Sequence, residues 1–477
     1  MISFATLAMI GWIPLILVSF SLLKPRQAII AAYIVGWMYL PNLRWDLPGL
    51  PGYDKTTATN LGVLAAILLF DLGRLARFRP GAIDVPVIVF CVCPIGTSLT
   101  NGYGLYDGLA GVWGQAITWG IPWVIGRCYF GTLPALRELA VGMFVSGIVY
   151  APLCLFEMAF GAILHLKLYG YYQHSVEQTV RAGGAIRPMV FMSNGIMLSI
   201  WMGASAVAGL AVARDAALTR LPRTVKLVLA VGLVVVTVMC HSAAAIVLTL
   251  AGVTVWYAAR WMRVALPITL LVAAIPCYMV LRVSGILDVQ QLMGGLSASM
   301  QTIGISPDMT AERLHSAGVR FDTEDHLFEQ MWRSPVFGVG SWYFNQYVDP
   351  QTGEVDTVTI DGYWTLQLAT RGLLGLCSWL ALSLLPILAF LRRYPLRSWE
   401  TPIVSTGGAL AVVLLMHTID CIPNPNVDPL FTLIASGLIG LPALGSQRAA
   451  RGARKLRKVP AAGQPGPAPS PGPSAPA

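Results

Sequence analysis

Long apolar segments, separated by short polar stretches, recur along almost the whole of this sequence. The segments are 15 to 24 residues long, close to the roughly 20 residues that an α-helix needs to cross the hydrocarbon core of a bilayer. Because they are continuously apolar, they do not fit the alternating pattern of a membrane β-barrel. Only 12% of the residues are charged, about half the share in a soluble protein. We therefore predict an all-α polytopic membrane protein.

The segments predict about 12–13 transmembrane helices. The first one lacks a basic N-terminal region and a small-residue cleavage site, so we interpret it as a membrane span and not as a signal peptide. The thirteen candidate segments are 4–23, 27–42, 59–73, 84–100, 109–126, 138–160, 189–212, 225–240, 242–258, 264–281, 373–391, 402–418 and 430–445.

The distribution of positive charge predicts how the chain is oriented. Of the 32 Lys and Arg residues, 22 lie in alternate loops and in the C-terminal tail, and such loops are cytoplasmic by the positive-inside rule. The N-terminus is then outside and the C-terminus inside. The net charge of +9 is thereby explained by topology and does not indicate a nucleic-acid partner.

This topology divides the chain into four parts. Residues 1–282 are predicted to form an N-terminal bundle of about ten membrane helices, and 373–446 the C-terminal membrane helices. Between them, 283–372 is predicted to be one large extracytoplasmic loop that holds the catalytic site, with short helices and turns because Gly and Pro interrupt it often. Residues 447–477 are basic and then rich in Pro and Ala, which is typical of a disordered cytoplasmic tail.

Two pairs of Arg on the outer side are candidates for binding an anionic group, because Arg holds phosphate through paired hydrogen bonds. Arg181 and Arg187 lie just before the seventh segment. Arg313 and Arg320 are seven residues apart, two turns along one face of a helix. Two alternatives stay open, that the first pair extends to lipid headgroups and that the second forms surface ion pairs. The acidic neighbours for such ion pairs are Glu312, Asp322, Glu324 and Asp325.

Histidine and cysteine give no metal pattern. His315 and His326 lie in the large loop without the close spacing of a metal site. The eight cysteines are scattered, six of them in apolar segments, which is typical of small buried hydrophobic residues. We predict no metal and no other cofactor.

Several motifs follow one another in and beside the large loop. Arg320 precedes a Pro-x-x-Gly-x-Gly turn at 335–340, and Asp361 precedes two aromatic residues and a Gly-Leu-Leu-Gly run at 372–375. Upstream, Arg181 begins an Arg-Ala-Gly-Gly stretch before a membrane segment. In their order and spacing, these motifs resemble those of the O-antigen ligase and O-antigen polymerase superfamily of bacterial membrane proteins.

The resemblance implies metal-independent glycosyl transfer from a polyprenyl-diphosphate-linked glycan at the bacterial inner membrane. The lipid diphosphate is the leaving group, and Arg can neutralise the charge that develops on it. The four Arg candidates named above would have this role. The acceptor hydroxyl must lose a proton, which needs His, Asp or Glu.

Asp361 occupies the position where the family has a His that is the proposed base. Asp361 would then be the base, with His315 and His326 as further candidates, although an Asp before a helix also fits a simple N-cap. The departure from His favours a polysaccharide polymerase over a lipid A ligase, with an inactive relative as another alternative. Implied partners are the glycan donor, a glycan acceptor, membrane lipid, a chain-length regulator and a flippase.

Three functions remain in competition. The first is polymerisation of lipid-linked repeat units, and the second is ligation of a finished glycan to a lipid or protein acceptor. The third is transport of a lipid or polysaccharide, for which charged or broken helices in mid-membrane and internal repeats would be typical. Here the ionisable residues gather in the outer loops, which favours an enzyme.

Overall fold

The computed structural model places apolar helices along most of the chain. It describes residues 3–46, 52–173, 175, 178–181, 184–215, 221–302, 310, 314, 318, 320–325, 327–328, 331–342, 344–348, 355–357 and 360–443. Met1–Leu441 is one unit, and Pro442–Ala477 is a second one, of which 442–443 are described. The predicted cytoplasmic tail, 447–477, lies outside the described residues.

The helices follow the apolar segments closely. A π-helical stretch, Ala116–Gly120, joins two of them. The helices are α1 Phe4–Leu22, α2 Pro25–Tyr39, α3 Lys55–Phe70, α4 Leu72–Leu75, α5 Val85–Thr100, α6 Leu105–Gln115, α7 Ile121–Tyr129, α8 Leu133–Phe160, α9 Leu164–Tyr169, α10 Gly195–Val212, α11 Arg223–Met239, α12 Ala243–Trp261, α13 Leu266–Val283, α14 Val289–Thr302, α15 Tyr363–Arg393, α16 Pro402–Asp420 and α17 Pro429–Ile439.

Within the described part of the chain, eight helices are long and apolar enough to cross a membrane: α1, α5, α8, α10, α12, α13, α15 and α16. The prediction of a multi-pass helical membrane protein is thereby supported. The other five predicted segments also form helices, but these are shorter or interrupted. They correspond to α2, α3, α6 with α7, α11, and α17.

The centre of the bundle is formed by α10 and α16, which are buried along almost their whole length. Small residues allow α10 to approach its neighbours closely. A Cβ on Gly203 would lie 2.0 Å from Thr249 Oγ1, and a Cβ on Gly209 would lie 2.4 Å from the Phe144 ring. The absence of a side chain at these two glycines therefore lets Thr249 and Phe144 pack directly against the α10 backbone.

Peripheral helices expose their apolar side chains. Val228 on α11 is 70% exposed and Val280 on α13 is 66% exposed. Trp261, the last residue of α12, is 77% exposed. Patches of this kind on several helices need an apolar solvent, which a bilayer provides.

The interval between α13 and α15 has a mixed structure in its described part. It contains α14, helical residues at 320–325 and a turn at 334–340. A two-stranded antiparallel ribbon pairs β1, Gln346–Val348, with β2, Val355–Thr357. This interval approaches α5, α13 and α15, and the candidate site lies there.

Candidate functional site

Arg320 and Asp361 are two predicted site residues that the structure brings together. Arg320 Nε lies 3.4 Å from Asp361 Oδ2. The side chains are 32% and 41% exposed, so an external ligand can reach both. Among the described residues, Arg320 Nε finds no hydrogen-bond acceptor, because the contact is an ion pair without hydrogen-bond geometry. Arg320 and Asp361 therefore form an electrostatic pair at a partly exposed position.

The first turn of α15 holds Asp361 against the end of α16. The Tyr363 amide donates to the Cys421 carbonyl at 3.0 Å. A Cβ on Gly362 would lie 2.7 Å from the Ile422 carbonyl oxygen. The N-cap of α15 is Gly362, without a side-chain hydrogen bond. The alternative that Asp361 is only an N-cap is therefore wrong, and its carboxylate pairs with Arg320 instead.

Asp420, at the end of α16, is a second carboxylate near Arg320. It is 1% exposed and accepts hydrogen bonds from the side-chain amides of Asn424 and Asn426, each at 2.9 Å. The Arg320 charge acts on it electrostatically. Asn426 in turn accepts from the Asn194 amide at 3.1 Å, so Asp420 is fixed by neutral partners. Arg320 thus lies within electrostatic reach of two carboxylates, one accessible and one buried.

Glu324 lies one helical turn after Arg320 and has a different partner from those predicted. Arg282 Nε of α13 lies 3.0 Å from Glu324 Oε2, and Arg282 Nη2 lies 2.7 Å from Asp325 Oδ1. The Tyr278 hydroxyl lies 3.4 Å from both Glu324 carboxylate oxygens. Burial raises the pKa of Glu324 to about 7, although Arg282 opposes the shift. For these two acidic residues the structure shows Arg282 as the partner, where the sequence suggested Arg313 or Arg320.

The turn at 334–340 packs against a break in α15. Gly372 has φ 62° and ψ −162°, so two helices meet there at a kink. The carbonyls before the break and the amides after it lose their helical partners, and the turn supplies new ones. Before the break, the Ala369 carbonyl accepts from the Val339 amide at 2.8 Å, and the Thr370 carbonyl accepts from the Gly340 amide at 3.2 Å. After the break, the Leu373 amide donates to the Pro335 carbonyl at 2.8 Å, and the Leu374 amide donates to the Val336 carbonyl at 3.1 Å.

The other side of this turn is held by polar side chains of α5 and the residues that follow it. Each donates to a backbone carbonyl of the turn, so the carbonyls there are also satisfied. The bonds are Thr97 Oγ1 to Phe337 at 2.5 Å, Asn101 Nδ2 to Gly338 at 2.8 Å and Tyr103 hydroxyl to Val339 at 3.0 Å. The two glycine motifs singled out in the sequence therefore form one structural unit with α5.

Arg371, beside the break, was not among the predicted site residues. Its Nη1 donates to Gln367 Oε1 at 2.9 Å and to Thr370 Oγ1 at 3.2 Å. With the Gln115 amide turned so that its oxygen faces the guanidinium, that oxygen accepts from Arg371 Nε at 2.9 Å and Nη2 at 3.2 Å. An Arg directly before an apolar segment was the available signal, since ionisable residues at membrane depth are energetically costly and often functional.

The second predicted Arg pair lies before α10. Arg187 is 8% exposed, and its Nη2 donates to the His241 carbonyl at 2.8 Å. Its side chain packs over Gly195, where a Cβ would lie 2.4 Å from Arg187 Cδ. Arg187 is therefore buried in protein and does not extend to lipid headgroups. Arg181 Nη2 donates to the Gln178 carbonyl at 3.1 Å.

Three candidates, His315, His326 and Arg313, lie outside the described residues. The convergence of Arg181 and Arg187 with Arg320 on one cavity stays a prediction. The chain matches no protein-family model and no curated protein sequence.

Proposed function

We propose that the protein is a membrane glycosyltransferase that polymerises polyprenyl-diphosphate-linked oligosaccharide units into a cell-surface polysaccharide. The observation that supports this proposal is the accessible Arg320–Asp361 pair, with 3.4 Å between the two side chains. It combines a cation for a diphosphate with a carboxylate for an acceptor hydroxyl, the two groups that the reaction needs.

In this reaction the acceptor hydroxyl attacks the anomeric carbon of the donor. The new glycosidic bond forms as the bond to the lipid diphosphate breaks. Asp361 takes the hydroxyl proton, while Arg320 stabilises the departing diphosphate. Arg181, Arg187 and Arg313 are further candidates for that role. His315 and His326 are further candidates for the base. No metal or cofactor takes part in the proposed step.

The proposed setting is the bacterial inner membrane, with about 12–13 spans. In this topology the shorter helices also cross the bilayer, and the 283–372 loop lies outside, where lipid-linked units are presented. The donor, the glycan acceptor and membrane lipid are the direct partners. A flippase and a chain-length regulator would act before and alongside it.

Two other functions remain as alternatives. Ligation to a lipid or protein acceptor would use the same residues. The break in α15, with Arg371 beside it, is the specific observation that favours a transporter, because substrate sites of transporters are often built from discontinuous helices.

The test is a deletion strain examined for both surface glycan and lipid-linked intermediates. Loss of a polymerase leaves single repeat units at the surface. Loss of a ligase leaves long glycan on the polyprenyl carrier, and loss of a transporter leaves units trapped on the cytoplasmic side. The proposal requires the first result, reversed by the natural gene and not by an Asp361→Asn variant. Unchanged glycan in the deletion strain would refute it.

A further inference from the structure

A small cavity lies between α5, α6, α15 and the residues that follow the 334–340 turn. Its volume is about 200 Å³, below the roughly 300–1,000 Å³ of pockets for drug-sized ligands. It is therefore large enough for one small polar unit and too small for an extended glycan. The polar and aromatic side chains that line it include Ser98, Tyr103, Asp107, Ser341, Trp342 and Arg371.

Arg371 brings a positive charge to this cavity, and no described carboxylate forms an ion pair with it. Its partners among the described residues are the amide oxygens of Gln115 and Gln367 and the hydroxyl of Thr370. These contacts use four of the five N–H groups of a guanidinium. One N–H and a full charge remain for a ligand.

Asp107 lies on the wall formed by α6. It is half-buried, and among the described residues no hydrogen bond or ion pair occupies its carboxylate. A carboxylate accepts hydrogen bonds and gives none. It therefore fits hydroxyl groups of a ligand and repels an anionic group, which must then point toward Arg371.

The remaining lining fits the body of a sugar. Tyr103 and Ser98 donate their hydroxyl protons to the carbonyls of Val339 and Gly104 at 3.0 and 2.6 Å, so their oxygens are left as acceptors for a ligand. Trp342 lines the cavity with a side chain that is 54% exposed, and an indole ring combines a flat apolar surface with a polar edge. Acceptor oxygens beside an aromatic face suit a ring with hydroxyl groups on its rim.

We propose that this cavity binds a single sugar residue that carries an anionic group, either a carboxylate or a phosphate monoester. Arg371 pairs with the anion, Asp107 accepts from ring hydroxyls, and Trp342 covers one face of the ring. That this sugar belongs to the substrate rests on the proposed function, so the substrate would be an acidic glycan. The binding itself requires no transfer reaction.

The experiment measures binding of small sugars to the full-length protein in lipid nanodiscs by saturation-transfer NMR and competition titration. The probes are glucuronate, glucose 6-phosphate, glucose and inorganic pyrophosphate. At least one of the two anionic sugars should bind at least tenfold more tightly than glucose, and the tighter one identifies the anion. Equal affinity for glucose and both anionic sugars would overturn the proposal, as would binding of pyrophosphate alone.

Variants assign the binding to this cavity. Arg371→Gln should weaken the anionic sugar at least tenfold, while Trp342→Ala should weaken both that sugar and glucose. Arg333→Gln, which removes an exposed Arg of the same interval, is the matched control and should bind as the natural chain does. If thermal melting shows that Arg371→Gln is unfolded, the sugar affinity of Trp342→Ala alone decides whether the sugar binds in this cavity. Unchanged affinity in Trp342→Ala would then refute the site.

The two proposals fail separately. A deletion strain with normal glycan, combined with sugar binding that depends on Arg371, refutes the transferase and keeps the cavity. Single repeat units in the deletion strain, combined with sugar binding that no variant changes, refute the cavity and keep the transferase.

Discussion

Gly338 and Gly372 approach so closely that a Cβ placed on Gly372 would lie 2.6 Å from the Gly338 amide nitrogen. Both have positive φ, 72° and 62°, a conformation that side chains with a Cβ rarely adopt. A Cβ on Gly338 would in turn lie 2.4 Å from the Arg371 amide nitrogen. Backbone atoms cannot move aside as the end of a side chain can, so this contact requires glycine on both sides.

Gly338→Ala and Gly372→Ala are therefore expected to destabilise the protein strongly. Positive φ costs about 1–3 kcal/mol, and the clash adds about as much again. Gly102→Ala is the matched control, since Gly102 has φ 73° and no atom within 4 Å of the added Cβ. Thermal melting in detergent should show a much larger decrease for the first two variants. Three equal decreases would mean that backbone strain alone, and not the close contact, sets the cost.

Asp361→Asn should reduce glycan polymerisation by about 10²-fold or more, the usual loss when a general base is removed. Asn keeps the size of the side chain and cannot accept a proton. Asp361→His should recover part of the activity, because imidazole is also a base. Asp46→Asn is the control, since Asp46 forms an exposed pair with Arg44. The measurement is glycan chain length in a complemented deletion strain, and full-length chains from Asp361→Asn would remove Asp361 from the mechanism.

Arg282→Met should destabilise the protein by about 3–5 kcal/mol, because it leaves the buried Glu324 carboxyl without its cation. Arg282 is 4% exposed and Glu324 7% exposed. The double variant Arg282→Met with Glu324→Leu should be more stable than Arg282→Met alone, since an apolar pair needs no compensation. A denaturant titration of the four proteins gives the coupling energy. Additive effects would show that the pair does not connect α13 to the 320–325 helix energetically.

Stability should depend on pH through Glu324. Its pKa rises from 4.5 to about 7 in the folded chain, so the folded state holds this proton over a range where the unfolded state has lost it. The stabilising contribution is complete below pH 4.5 and is lost as the pH rises through 7. Relative to Glu324→Gln, the natural chain should melt at progressively lower temperature from about pH 5 to about pH 7.5. The exposed-residue control Glu400→Gln should keep the natural slope, and a natural chain that runs parallel to Glu324→Gln would contradict the prediction.

The predicted orientation can be tested with a single accessible cysteine. Ser299 of α14 is exposed, whereas Cys421 is buried. Because Cys277 and Cys377 are exposed, the background has Cys277, Cys377 and Cys421 replaced. In it, Ser299→Cys should react with a membrane-impermeant maleimide in intact cells. Arg397→Cys, in a predicted cytoplasmic loop, should react only after permeabilisation. The reverse result at the two positions would invert the topology and place Arg320 and Asp361 on the cytoplasmic side.

The apolar segments predicted the helices well, because burial in lipid or protein leaves a continuous signal in the sequence. Five segments became shorter or interrupted helices. One of them, 109–126, falls on α6, the π-helical stretch and α7, and hydrophobicity does not distinguish these forms. Arg320 and Asp361 belong to two different sequence motifs, and the structure shows that they form a pair.

The partners of Arg282 and Arg371 could not be read from sequence. Each lies close to one end of an apolar segment and has a partner on another element, Glu324 for the first and Gln115 for the second. Contacts of this kind depend on how the helices assemble. The same holds for the contact between Gly338 and Gly372, because their motifs indicated that glycine was needed but not that each needed the other.

The break in α15 also has a consequence for how the chain is made. An open helix end in hydrocarbon leaves unsatisfied backbone groups, each costing several kcal/mol. The turn that satisfies them is synthesised just before α15, and the α5 side chains that hold the turn are synthesised earlier still. We therefore expect α15 to become stable only after the turn has reached Thr97 of α5 and the residues that follow it. On this expectation, docking of the 334–340 turn during biogenesis joins the two helical halves into one stable element.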